Sequence, residues 1–151
     1  MKTKKFALLI VLTILIATSS FSLKQSAFNP TGTYELNEHT KERNDGVYGY
    51  FGTIQVKKIN HTKIAMTFYI CKGAPSYNSG SFVDTLDFSN NVAIHKDEDC
   101  VTIFTFTKKG IDVKEQSHRS CWGGGVVAHG HFKKTSGKEP VLTDPETGEK
   151  L

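Results

Sequence analysis

Six histidines, three cysteines and a glycine run behind the chain's one tryptophan are the residues here whose types and spacing could do chemistry. His129 and His131 stand two apart. On a strand that spacing puts both imidazoles on one face, and zinc and copper take such ligands. Nothing fixes a third ligand, however, and if Phe132 points inward both histidines point to solvent. No metal and no cofactor is assigned. Asp97-Glu98-Asp99 spaces its carboxylates too closely for a calcium loop and reads as a solvated turn. Trp122-Gly123-Gly124-Gly125 precedes a strand, whereas a phosphate cradle needs a helix N-terminus after its glycines. It reads as a tight turn with positive φ, with Trp122 covering one end of the fold. No serine sits in a glycine-flanked elbow leading into a helix, so no catalytic residue is assigned. An enzyme would need His95, His118, His129 or His131 to converge with an acid in a cleft. Asn60-His61-Thr62 fits a glycosylation sequon, which has meaning only in a eukaryotic host.

The elements that would position these residues are strands. In Lys63–Lys72, Ile64, Met66, Phe68 and Ile70 alternate with Ala65, Thr67, Tyr69 and Cys71, the period-two pattern of a strand with one buried face. Gly32–His39, Gly52–Ile59, the Phe82/Leu86/Phe88 run, Val92/Ile94, Phe104/Phe106, Ile111/Val113 and Val126–Lys134 repeat it. Asp84 is an exception, an acid at an inward position. No helical stripe appears beyond the first residues. About eight short strands joined by turns predict an all-β fold, a small antiparallel barrel or closed sandwich over residues 30–134. Glu38–Asp45 is expected as a charged loop. Thr135–Leu151, with two prolines, two glycines and few apolar residues, is expected as a disordered C-terminal tail.

The N-terminus reads as a secretory signal peptide over residues 1–22. Lys2, Lys4 and Lys5 precede a 12-residue run from Phe6 to Ala17, apolar but for Thr13, and then Thr18-Ser19-Ser20. A membrane-spanning helix needs about 20 such residues. No cysteine follows the run to carry a lipid, so no membrane anchor is expected after cleavage. The leader also accounts for most of the charge. Nineteen lysines and arginines against fifteen acids make +4; removing three lysines and no acid leaves +1. A nucleic-acid partner is therefore not expected. The chain is expected to be secreted or periplasmic, where disulfides persist.

Cys100 begins one strand of a hairpin and Cys121 lies just beyond the other. Folding about Lys109 brings them together, which favours a Cys100–Cys121 disulfide and leaves Cys71 the odd thiol. The alternative is that Cys71 takes one of these partners. Tyr48, Tyr50, Phe51, Tyr77 and Trp122 fall near turns rather than in the core pattern. Tyr and Trp are enriched at binding surfaces, so Tyr48, Tyr50, Tyr77 and Trp122 form a candidate binding surface. The same rings could instead plug the ends of a barrel.

From Asp99-Cys100 onward, Phe104, Phe106, Gly110-Ile111-Asp112-Val113, Cys121, the glycine cluster and Val126–Lys133 resemble a group of small exported bacterial β-domains. In that group a cysteine-started strand, a hairpin and a second cysteine precede a closing strand that ends in glycine, any residue, then an aromatic. Some of its members are lysozyme inhibitors built as eight-stranded antiparallel barrels. The likeness covers roughly residues 60–134. This chain differs at His129, where an acid is common, and at His131. The nearest counterpart of an inhibitor loop is Ser79-Gly80-Ser81-Phe82.

The functional expectation is an exported, non-catalytic binding protein acting through protein–protein contact. The resemblance implies an inhibitor-like role with a cell-wall hydrolase as partner. The alternative is a small-ligand carrier of lipocalin-like type, since Gly32-Thr33-Tyr34 opening a barrel resembles those domains. The many core phenylalanines argue instead for a filled interior.

Overall fold

The computed structural model describes residues 28–117, 121–144, 146–148 and 150–151, without the side chains of Glu38 and His39. The signal peptide expected over residues 1–22 lies outside these residues. Eight strands follow in order: β1 (Gly32–Arg43), β2 (Gly46–Lys58), β3 (Lys63–Gly73), β4 (Ser79–Ser89), β5 (Val92–Asp97), β6 (Cys100–Phe106), β7 (Gly110–Glu115) and β8 (His129–Ser136). Each pairs antiparallel with the next, and β8 returns to β1, closing a barrel. No helix is present among the described residues.

The alternation read from the sequence sets the inside. Ile64, Met66, Phe68 and Ile70 of β3 have no exposed surface, nor do Ile54 and Val56 of β2, Phe104 of β6, Ile111 of β7 or Phe132 of β8. Phe68 sits at the centre. Its ring centroid lies 5.7 Å from Phe82, 5.4 Å from Phe104, 4.8 Å from Trp122 and 5.9 Å from Phe132. The Phe104 and Trp122 contacts are edge-to-face, an arrangement aromatic quadrupoles favour. At the opposite end Tyr34 is fully buried and donates its hydroxyl to Pro30 O at 2.5 Å. Burial pushes its pKa up to about 12.

Several boundaries differ from the expected ones. Glu38–Asp45 forms no loop: β1 and β2 continue as a hairpin with Lys41 opposite Tyr48 and Arg43 opposite Gly46. Ladder hydrogen bonds need no apolar side chains, and here Arg43 lies 4.7 Å over the Tyr48 ring while Tyr48 bonds Asp45. β8 begins at His129 rather than Val126, although Val126 and Ala128 are buried. The Asn90-Asn91 turn has both residues at positive φ, 52° and 61°, the geometry of a two-residue hairpin loop.

The C-terminal residues also depart from the expected disordered tail. Thr135 and Ser136 end β8. Beyond them the chain runs back across the outside of β2, β3 and β4. Glu139 pairs with Lys57 at 2.8 Å, and Leu142 lines a groove with Ile59 and Ala65. Leu142 and Asp144 are buried. Asp144 Oδ1 accepts the Glu146 and Thr147 amides, both at 2.8 Å. Glu146 accepts the hydroxyls of Ser79 and Ser81. The segment has few apolar residues, yet its carboxylates find hydroxyl and amide donors. Ala65 and Thr67 face outward by alternation and are buried nonetheless.

Candidate functional site

Four connections meet at one end of the barrel: the β1–β2 turn, the β3–β4 loop, the β5–β6 turn and the segment from Gln116 to Ala128. Cys100 opens β6. Gln116 N–H bonds Val101 O at 2.8 Å, and Val101 N–H bonds Ser117 Oγ at 3.0 Å, so the hairpin is paired up to its last residues. The Cys100–Cys121 disulfide then spans 5.8 Å between Cα atoms. Cys71 is free, as the strand geometry anticipated, and it is buried although alternation sets it on the outer face with Thr67 and Tyr69. A disulfide fits an oxidising environment.

After Cys121 the chain turns sharply. Gly123 and Gly125 have φ of 102° and 74°, values open to glycine and costly for other residues. Gly124 O accepts from Lys72 Nζ at 3.0 Å and from Asn78 Nδ2 at 2.5 Å. Tyr50 donates its hydroxyl to Gly125 O at 3.1 Å. Gly80 allows close approach of β4, because a Cβ there would lie 2.8 Å from Trp122 Cα.

The candidate surface residues divide. Trp122 does not belong to it. Its side chain is buried and its indole N–H bonds Thr102 Oγ1 at 3.2 Å. It plugs the barrel end, because the Cys121 bridge and the glycine turn aim the indole inward onto Phe68. Tyr50 packs partly on the core and braces the glycine turn. Tyr48 and Tyr77 remain on the outside. Tyr77 accepts the Val47 N–H at 2.8 Å and is 44% exposed, and its backbone holds φ 50°.

Beside the disulfide lies a groove of about 420 Å³ whose walls include Ser79, Phe82, His95, Asp97, Trp122 and Glu146. The Ser79–Phe82 loop motif thus forms the start of β4 and one wall of this groove. Sequence reasoning singled out His95 only as one of four histidines. It occupies an inward position on β5, stacked on Phe82 with centroids 4.1 Å apart. Its Nδ1 is buried without a hydrogen-bond partner, 4.0 Å from Asp84 Oδ2. Burial lowers its pKa, partly opposed by Asp84 and Asp97. The alternation read from the sequence set Val92 and Ile94 inward on β5; the structure has the opposite phase, with Ala93 buried between Phe88 and Phe104 and Ile94 exposed, and this turns His95 inward.

His129 and His131 lie elsewhere, on β8. His131 Nδ1 is 2.6 Å from Asp112 Oδ1, and the His129 ring is 6.2 Å from that of Tyr50. His95 and this pair are on separate walls and do not converge, and His118 lies outside the described residues. Among the described residues no group of three histidine, cysteine or acidic side chains is placed to hold a metal ion.

Comparison of the chain with protein-family models, curated proteins and solved structures found no match.

Proposed function

We propose that this protein is exported by its N-terminal signal peptide to the periplasm or the medium, and acts there as a non-catalytic binding protein. Protein–protein contact is made by the braced end of the barrel, with Tyr48, Tyr77 and the Gly123–Gly125 turn presented to the partner. One observation carries this reading: the rings around Phe68 fill the space under that end, while the disulfide and the bonds to Gly124 O hold its loops. A rigid surface loses little conformational freedom on binding. A cell-wall hydrolase is the partner implied by the resemblance to lysozyme-inhibitor domains.

The carrier reading is disfavoured by the same observation. Eight-stranded barrels can hold one small ligand or be filled by side chains, and Phe68, Phe88, Phe104, Phe106 and Phe132 are all buried here. The test is a panel of lysozymes of different structural types, assayed with the purified mature protein and run with it on a sizing column. Inhibition or a complex, weakened by Tyr77→Ala, supports the proposal. Unchanged activity throughout with no complex removes the inhibitor version.

A further inference from the structure

The barrel wall between β4 and β5 is zipped at one end only. The strands pair at Phe88↔Ala93 and Ser89↔Val92, beside the Asn90-Asn91 turn, and at no residue further on. Yet β4 extends back to Ser79 and β5 on to Asp97. Continued register would set Asp87 against Ile94 and Thr85 against Lys96. Main-chain groups point to alternate sides along an antiparallel strand. Phe88 N–H bonds Thr62 O at 2.7 Å, on the β3 side. Ser81, Val83, Thr85 and Asp87 therefore turn their amides and carbonyls toward β5. Phe106 N–H bonds Asn91 O at 2.8 Å, so Ile94 and Lys96 turn theirs toward β4. Two rows of strand hydrogen-bonding groups face each other without a ladder between them.

Side chains confirm that the split is open. Asp84 holds an inward position and is nonetheless 53% exposed. Its Oδ1 has taken the Thr85 N–H at 2.6 Å, in place of a partner strand. A second groove of about 570 Å³ opens along the split, with Leu86, Val92 and the exposed Ile94 in its walls. The charged groups along both grooves are Asp84, Asp87, Asp97 and Glu146 against Lys63 and Lys96. Lys63 is already paired with Asp87 at 3.2 Å.

We propose that this split receives an extended segment of a partner polypeptide, bearing lysine or arginine, which adds to β4 as a new strand. Only a peptide backbone supplies donors and acceptors at the spacing that β4 presents. The acidic surplus selects cationic side chains on the Asp84 face, and Val92 and Ile94, which point the other way, select apolar ones at the alternate positions. On arrival a peptide carbonyl takes the Thr85 N–H, and the released Asp84 carboxylate pairs with the incoming cation. Until then Asp84 acts as an inward-pointing charge that discourages indiscriminate edge pairing. The proposal rests on the reading of the protein as one that binds proteins, and it adds a second contact on the wall.

The experiment uses the isotope-labelled mature chain and three blocked heptapeptides: alternating valine–lysine, the same peptide N-methylated at alternate residues, and alternating valine–glutamate. The first should shift and protect the amides of Val83, Thr85, Asp87, Ile94 and Lys96. The other two should bind more weakly by about tenfold or more, the size of one lost charged or main-chain contact. Asp84→Asn, a variant that keeps the side-chain shape, should weaken the valine–lysine peptide about tenfold and leave the urea unfolding midpoint unchanged. The proposal is overturned by equal binding of the N-methylated or the glutamate peptide, by shifts confined to other residues, or by no shift at millimolar peptide. Protection of the same amides in the free protein together with self-association on a sizing column would assign the split to a second copy, and would equally overturn it. None of these results bears on the loop end, which the lysozyme panel and Tyr77→Ala read separately.

Discussion

The imidazole of His95 lies flat against the ring of Phe82, the two planes 2° apart and their centroids 4.1 Å from one another. A neutral ring suits that position and a cation suits it poorly, since Nδ1 is buried without a partner. Burial lowers the His95 pKa from its ordinary 6.5, with Asp84 and Asp97 opposing. The unfolded chain therefore binds a proton more readily than the folded one. Stability is fully present above about pH 6.5 and falls as pH drops through the lowered folded value. Urea unfolding of the wild type and His95→Gln between about pH 8 and pH 5 checks this. The wild type should lose more stability than the variant over that range. Parallel curves would show that His95 does not sense pH.

Mapping of unreduced peptides should recover Cys100 joined to Cys121, with Cys71 as a thiol that alkylates only on unfolding. Reduction should cost about 2–5 kcal/mol and loosen the Gln116–Ala128 end first, seen as faster amide exchange there. A linked peptide containing Cys71 would contradict the pairing.

Phe68→Ala should be the most damaging single truncation in the barrel. The side chain is fully buried and touches four other rings. Loss of about 3–5 kcal/mol is expected for such a phenylalanine. Phe82→Ala should cost less, because that ring is only partly buried. Thermal or denaturant midpoints rank the two, and the reverse order would place the centre of the core elsewhere.

Asp144→Ala should detach the C-terminal segment at a cost of about 1 kcal/mol, the usual size for a lost carboxylate cap. Burial works against the Asp144 charge, but hydrogen bonds from Thr147, Ser81 and Glu146 outweigh it and hold the carboxyl below its ordinary 3.8. This contribution is present above about pH 4 and is lost as pH falls through the depressed value. Exchange of the amides of residues 142–148 reads the detachment. Deleting residues 138–151 should also expose Ala65 and Thr67 and speed alkylation of Cys71 in the folded protein. An unchanged alkylation rate would mean that Tyr69, hydrogen-bonded to Cys71, covers the thiol alone.

The barrel was legible because Ile64, Met66, Phe68 and Ile70 keep strict period two, and the neighbouring strands repeat it. The disulfide was legible because a hairpin fixes which cysteines can meet. What escaped depends on long-range contact. Ala65 and Thr67 are covered by a segment more than seventy residues away in sequence, attached by one buried leucine, Leu142, and by carboxylates that find hydroxyl and amide donors. Asp84 breaks the inward pattern because the wall opens between β4 and β5, and nothing in the β4 sequence says where its pairing stops. Trp122 could have served as surface or plug from its type alone; the glycine turn and the bridge aim it inward. The β1–β2 extension was missed because Glu38–Asp45 carries charge instead of alternation.

The covalent link from Cys100 to Cys121 makes a closed ring of the chain between them, with the whole β6–β7 hairpin inside it. A protease that cuts once anywhere in that ring produces two chain ends but no separable fragment. β6 stays paired with β5 on one side, β7 with β8 on the other, and the sulfurs hold the cut piece in register. Wherever peptidases act on it, such a molecule tolerates a nick in this ring that would disassemble an unbridged barrel.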